Sequence, residues 1–188
     1  MSESISAARQ RLLDVASDLF YREGIRSIGV DTIVEKAGVG KATLYRHFPT
    51  KDDLIAAYLE RNGNLHWQWF DKVVAEHDGS PKEQLLALID ATMEIMTEPG
   101  YRGCAQLNAL AEFSEADHPA HRLAVEFKHA LRLRLLQLCR KAGDGNEALA
   151  DQLLLVINGA LVSVPLLGPE SPAIHLKAIA MQLIDAHI

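Results

Sequence analysis

Lys41, Ala42, Thr43, Tyr45, Arg46 and His47 stand close together in this chain, with Lys51 just beyond them. An arginine can donate two hydrogen bonds to a guanine edge, and a threonine methyl can meet a thymine methyl. A small residue such as Ala42 lets a helix sink into the major groove. Tyr45, His47 and Lys51 can donate to phosphate oxygens, which sets register rather than sequence preference. The chemistry on offer is recognition of duplex DNA, with no bond made or broken.

Such groups act only if the chain presents them on one face. Val30, Ile33, Val34 and Ala37 recur at helical spacing, and Gly38 follows where a helix ends in a left-handed residue. Val39, Leu44 and Phe48 give a second apolar face, so Lys41, Ala42, Thr43, Tyr45, Arg46 and His47 point outward. Pro49 breaks this second helix. Thr50-Lys51-Asp52-Asp53 then reads as a capping box, with Lys51 in a first turn whose free amides favour a phosphate. The layout predicted is a helix-turn-helix with its second helix as reader. A plain helical hairpin with solvated charges shares the apolar spacing. The abrupt stop and the new helix start favour the DNA reading.

Ahead of this pair, Ala8, Leu12, Val15, Ala16, Leu19 and Phe20 form the stripe of a first helix, capped in this reading by Ser6 and ended by Glu23-Gly24. Residues 7–60 resemble the DNA-binding domain of TetR-type (TetR/AcrR) transcriptional regulators. Leu19-Phe20, Glu23-Gly24, Ile33, Ala37-Gly38-Val39, Thr43-Leu44-Tyr45, His47-Phe48, Lys51 and Leu54 carry the resemblance. It implies that Lys41, Ala42, Thr43 and Arg46 approach bases and that Tyr45, His47 and Lys51 hold phosphates. Two positions depart from the family pattern. Gly29 takes the usual Ser/Thr cap of the second helix, and Gly40 stands where serine is frequent. Glycine is an acceptable cap, but two hydroxyls that could meet phosphates are gone.

The net charge of −6 hides a division. Residues 1–51 hold eight Lys and Arg against six Asp and Glu, leaving +2, so the rest of the chain carries −8. An acidic body turns a mildly basic head toward DNA, and the small basic excess calls for two heads acting together. The first ten residues lack the apolar core of a secretion signal. The apolar run from Leu153 to Gly168 contains Asn158 and reads as shorter than the ~18 residues a spanning helix needs. The expected location is the cytoplasm, with no membrane partner. Cys104 and Cys139 fit a reduced compartment, as small buried groups before a redox pair.

Beyond Lys51 the pattern is helical throughout. The expected fold is all-α with about nine helices: a three-helix head over residues 1–50 and a ligand-binding and dimerisation body over 51–188. The helix begun at Lys51 should run to about Glu76 and belong to both, with Gly63 marking a bend. His66-Trp67-Gln68-Trp69-Phe70 is the most aromatic stretch. Trp67 and Phe70, with Met93 and Met96 on the next helix, are candidate walls of an apolar pocket, although ordinary core packing gives the same pattern. Ser80-Pro81 with Glu83 reads as a helix start. Gly103-Cys104, Asn108 and Glu112 resemble a signature of TetR-type ligand-binding bodies; Asn108 and Glu112, four apart, could bond a ligand or tie their helix to its neighbours.

Asp117, His118 and His121 lie close together but fall short of a convincing metal set, and no metal or other cofactor is expected. The helix from Asn146 to about Leu167 is apolar nearly all round, as is the last, from about Ala173. Such helices are buried on all sides, which points to a homodimer joined through Leu153, Val156, Ala160, Ile179 and Leu183 in a four-helix bundle.

The function expected is a DNA-binding transcriptional regulator, most simply a repressor. It binds a palindromic double-stranded operator as a homodimer and answers to a small, largely apolar effector. A DNA-associated structural protein without ligand is the alternative. An enzyme is disfavoured: the chain has no G-x-S-x-G elbow, phosphate loop, H-E-x-x-H or dinucleotide fingerprint.

Overall fold

A computed structural model describes residues 2–77, 79–143, 147–168 and 170–188, with side chains from Ala7 onward. The turn expected at Asp78, the loop through Asp144 and Gly145, the helix start at Asn146 and the break at Pro169 lie outside the described residues. Helices follow one another as α1 (Ser2–Glu23), α2 (Val30–Ala37), α3 (Lys41–His47), α4 (Lys51–Ala75), α5 (Pro81–Met96), α6 (Ala105–Glu112), α7 (Pro119–Ala142) and α8 (Glu147–Leu167). A 3₁₀ turn (Pro172–His175) leads into α9 (Leu176–His187), and no strand occurs among the described residues. The architecture is all-α, as the periodicity predicts. Because α1 begins at Ser2, Ser6 lies inside it and is not its cap.

The chain forms two compact units. The first comprises residues up to Gly63 together with Ala105–Val125; the second comprises Asn64–Cys104 and Glu126–Ile188. The packing thus groups the helices differently from a division at residue 50. The first half of α4, all of α6 and the start of α7 share one core with α1, α2 and α3. The reason lies in their apolar faces. Leu54, Ile55, Tyr58 and Leu59 of α4 are buried with Leu12, Ala16, Leu19, Phe20, Ile33 and Leu44, and Ala105, Ala109, Ala120 and Ala124 are buried in the same cluster. Phe20 meets Tyr58 edge-on at 5.6 Å. α4 itself is continuous through Gly63.

In the second unit, Leu85, Leu88 and Ile89 of α5, Leu135, Leu138 and Cys139 of α7, and Leu149, Leu153 and Ile157 of α8 share a core with Leu176, Ala180 and Ile184 of α9. α5 starts as its sequence predicts: the Ser80 hydroxyl accepts from the Glu83 amide at 3.3 Å and Pro81 takes the first turn. Cys139 is fully enclosed, and burial pushes its thiol up to about 11, which suits a packing role.

α8 departs from expectation in one respect and holds a second notable feature. It is a helix of 21 residues, long and apolar enough to cross a membrane by length and composition, where the apolar run alone reads as too short. Its Leu149, Ala150, Leu153, Ile157 and Ala160 face is spent on the core of this unit. It also contains Pro165, which donates no amide and so frees the carbonyl of Leu161, four residues earlier. Tyr101 donates its hydroxyl to that carbonyl at 3.4 Å, supplying a partner where the helix ladder lacks one.

Candidate nucleic-acid interface

The reader helix α3 is held by one buried face. Leu44 and Phe48 are enclosed, while Lys41, Ala42, Tyr45 and Arg46 are exposed and Thr43 and His47 partly so. Gly38 ends α2 with φ +64°, the left-handed conformation predicted for it, and its amide bonds back to the Glu35 carbonyl. α2 and α3 start at Gly29 and Gly40, both in extended backbone and without a side-chain cap bond. The capping box at α4 forms as read: the Asp53 amide donates to Thr50 Oγ1 at 3.1 Å, and the Thr50 amide donates to Asp53 Oδ2 at 2.9 Å.

Two of the basic residues are engaged. Lys41 pairs with Asp31 at 2.6 Å, and this partner holds its ammonium above the usual lysine range. Both side chains are well exposed, so water screens the pair and it is held only weakly. Lys51 donates from Nζ to the Ile25 carbonyl at 2.8 Å, and its ammonium lies 5.9 Å from the centre of the Phe20 ring. Burial lowers its pKa, against the opposing pull of Glu112 and Asp52. An ammonium has three donors, so Lys51 can brace the turn between α1 and α2 and still reach a phosphate.

The same turn is gripped from its other side. The Ile25 and Arg26 amides donate to Glu112 Oε1 and Oε2 at 2.9 and 2.7 Å. Gly24, with φ +92°, lies against them, and a Cβ there would come within 3.5 Å of Glu112 Oε1. Arg26 covers the Phe113 ring at 4.7 Å and reaches Glu115. α6 and the start of α4 therefore fix the loop that carries α1 into the helix-turn-helix.

Comparison with known proteins decides what this arrangement is. Residues 12–58 match the family described as bacterial regulatory proteins, tetR family. An HTH-type transcriptional regulator from Staphylococcus aureus is 37% identical over 65 residues, 35% of each chain, so the match spans about a third of that relative's length. Over nearly the whole chain, the solved TetR-family transcriptional regulator from Streptomyces coelicolor is 33% identical with a TM-score of 0.88, covering 97% of this chain and 96% of that one. This chain belongs to the TetR family. A transcriptional regulator from Saccharomonospora viridis, solved in complex with choline, shares the fold at 24% identity and TM-score 0.78 over 96% of both chains. As a TetR-family member the protein is a transcriptional regulator with a helix-turn-helix DNA-binding domain.

The residues read as ligand-facing fall into two sets in this TetR-family chain. Asn108 and Glu112 belong to the first unit; Trp67, Phe70, Met93 and Met96 belong to the second. Glu112 spends both carboxylate oxygens on backbone amides, which is the tie between helices that its spacing also allowed. Trp67 stacks on Phe127 at 4.8 Å and meets Phe70 edge-on at 6.3 Å. Phe70 and Met96 are buried and Met93 partly so. Arg134 lies over the Trp67 ring at 4.4 Å and pairs with Asp71.

Asp117, His118 and His121 have local uses. His118 stacks on Phe113 at 4.1 Å and accepts the Ala120 amide on Nδ1, and His121 Nδ1 donates to the Phe113 carbonyl at 2.9 Å. Arg122 donates to the Asp117 carbonyl.

Two of the five residues read as a dimer surface need correction. Leu153 is 1% exposed and Ala160 6%, both facing their own core, while Val156 and Leu183 are partly buried and Ile179 is exposed. The open apolar stripe of α8 is instead Leu155 (72% exposed), Val162 (51%) and Leu166 (73%), with Gly159 between them at the same helical spacing.

Proposed function

We propose that this TetR-family regulator is a cytoplasmic repressor that binds a palindromic operator as a homodimer and is controlled by a small, largely apolar molecule. In this reading residues 1–50 read DNA, and residues 51–188 bind the effector and dimerise. The observation that carries it is α3, which is locked by Leu44 and Phe48 and presents Lys41, Ala42, Tyr45 and Arg46 to solvent, with Thr43 and His47 beside them. Arg46 and Thr43 are the base readers; Tyr45, His47 and Lys51 hold phosphates. One head with so small a basic excess binds weakly, and two heads on a palindrome supply the missing affinity. The Saccharomonospora relative takes choline, and the aromatic second unit of this chain suits an organic effector too. Such a molecule acts by preferring one spacing of the two heads over another.

The test is selection of duplex DNA from a random pool by the purified protein. An enriched palindrome is the expected outcome. Arg46→Ala and Thr43→Ala should each relax the preference at defined positions and cost about 1–3 kcal/mol there. A folded dimer that enriches no sequence would sink the reading.

A further inference from the structure

His66 is a polar residue of the second unit that the regulator reading has not used. Its ring lies at the centre of an aromatic cluster: Trp67, Trp69 and Phe127 each have their ring centres 5.1 Å away, and Phe70 lies at 6.5 Å. Its Nε2 is buried and makes no hydrogen bond. A buried polar atom without a partner costs free energy, and in a native fold that needs a reason. Trp67, Trp69 and Phe127 are each partly exposed, so the cluster reaches the surface of its unit. Two cations flank it. Lys128 donates to Asn158 Oδ1 at 2.7 Å and lies 6.0 Å from the Phe127 ring centre; Arg134, paired with Asp71, covers Trp67 and Phe70.

These features select a ligand chemistry. The rings offer faces and edges to a flat aromatic molecule. The imidazole nitrogen needs one hydrogen-bonding group beside it. Burial, reinforced by Lys128 and Arg134, pushes the imidazole down to about 4, so it is neutral at pH 7. A neutral imidazole can donate or accept at Nε2 depending on its tautomer. A hydroxyl satisfies either, since it both donates and accepts. The flanking cations favour a hydroxyl that can carry negative charge and disfavour a cationic ligand.

We propose that the cluster around His66 binds a small phenol-like aromatic, its ring packed against Trp67, Trp69, Phe70 and Phe127 and its hydroxyl paired with His66 Nε2. The inference rests on the ligand-responsive reading above and names the class of effector. It sets this chain apart from any relative whose ligand is a quaternary ammonium.

Trp67 and Trp69 are the two tryptophans of the chain, so their fluorescence, excited beyond the absorption of phenol, reports this cluster alone. The probes are phenol, toluene and benzyltrimethylammonium, titrated into the full-length protein. Phenol should quench saturably, toluene should bind at least tenfold more weakly, and the ammonium should give no saturable change. His66→Phe, which keeps an aromatic ring in place, should bring phenol to the level of toluene. Equal binding of phenol and toluene by the unaltered protein overturns the proposal without recourse to a variant. Unchanged phenol binding in a folded His66→Phe, or no saturable phenol binding, overturns it as well. Operator selection separates the two readings. Enrichment without phenol binding removes only the ligand class, and phenol binding without enrichment removes only the regulator mechanism.

Discussion

His66 couples stability to pH. Above pH 6.5 the imidazole is neutral in both the folded and the unfolded chain and contributes no pH dependence. Below that value the unfolded chain takes up a proton, while the folded chain holds out until about pH 4, because burial and then Lys128 and Arg134 oppose the charge. Stability should therefore fall as pH drops from about 6.5 to 4, by about 2–3 kcal/mol from this residue. In urea titrations at several pH values, His66→Phe should lose that much less over the same interval; parallel curves for the two proteins would show that His66 does not titrate this way. At this scale the sequence says much about the reader and little about His66. The face that Leu44 and Phe48 turn inward, the left-handed Gly38 and the Thr50–Asp53 box all follow from local spacing. The partner-less Nε2 depends on Phe127, a residue far along the chain and on another helix, which no local pattern reveals.

Among the elements, α6 shows how a correct spacing can conceal its purpose. Asn108 and Glu112 do share a face, as four-residue spacing requires, but the groups that Glu112 meets are the amides of Ile25 and Arg26, 87 and 86 positions away. Its carboxylate holds the turn from α1 to α2 while Lys51 of α4 holds the Ile25 carbonyl. Two hydrogen bonds to a charged acceptor at a partly exposed site contribute about 1–2 kcal/mol net. Glu112→Ala should lower the urea midpoint by that amount with an unchanged slope. Glu112→Gln should recover only part, since one of its two terminal atoms becomes a donor facing a donor. A Glu112→Ala protein as stable as its parent would mean the turn is held by Lys51 and packing alone. α8 carries the complementary lesson. Its composition predicts burial on all sides, but that pattern does not show that the Leu161 carbonyl, freed by Pro165, is met by Tyr101 from a distant loop.

For the whole molecule, the question is what covers the stripe that the second unit leaves open. Burial of α8 splits by face: Leu149, Leu153, Ile157 and Ala160 turn inward, and Leu155, Val162 and Leu166 stay in water with Ile179 and Met181 of α9. Which of two equally apolar stripes turns inward is decided by where α5 and α9 pack, so helical spacing alone does not say which stripe stays open. Gly159, with open space where a Cβ would stand, leaves a gap between Leu155 and Val162 that a second backbone could enter. Large exposed apolar patches are uncommon on monomers and often mark interaction sites. If a second copy covers this stripe, Leu155→Glu and Val162→Glu place a charge in the middle of a symmetric contact, twice over, because each subunit brings its own. Sedimentation should then report the 20.7 kDa single chain instead of its double, with helix content kept and palindrome affinity reduced at least a hundredfold. Leu153→Ala is the control. It opens a cavity in the unit's own core, so it should cost about 2–5 kcal/mol of stability and leave the oligomeric state alone. A Leu155→Glu protein that stays dimeric while Leu153→Ala dissociates would reverse the assignment of the two stripes and restore the surface that the sequence alone suggested.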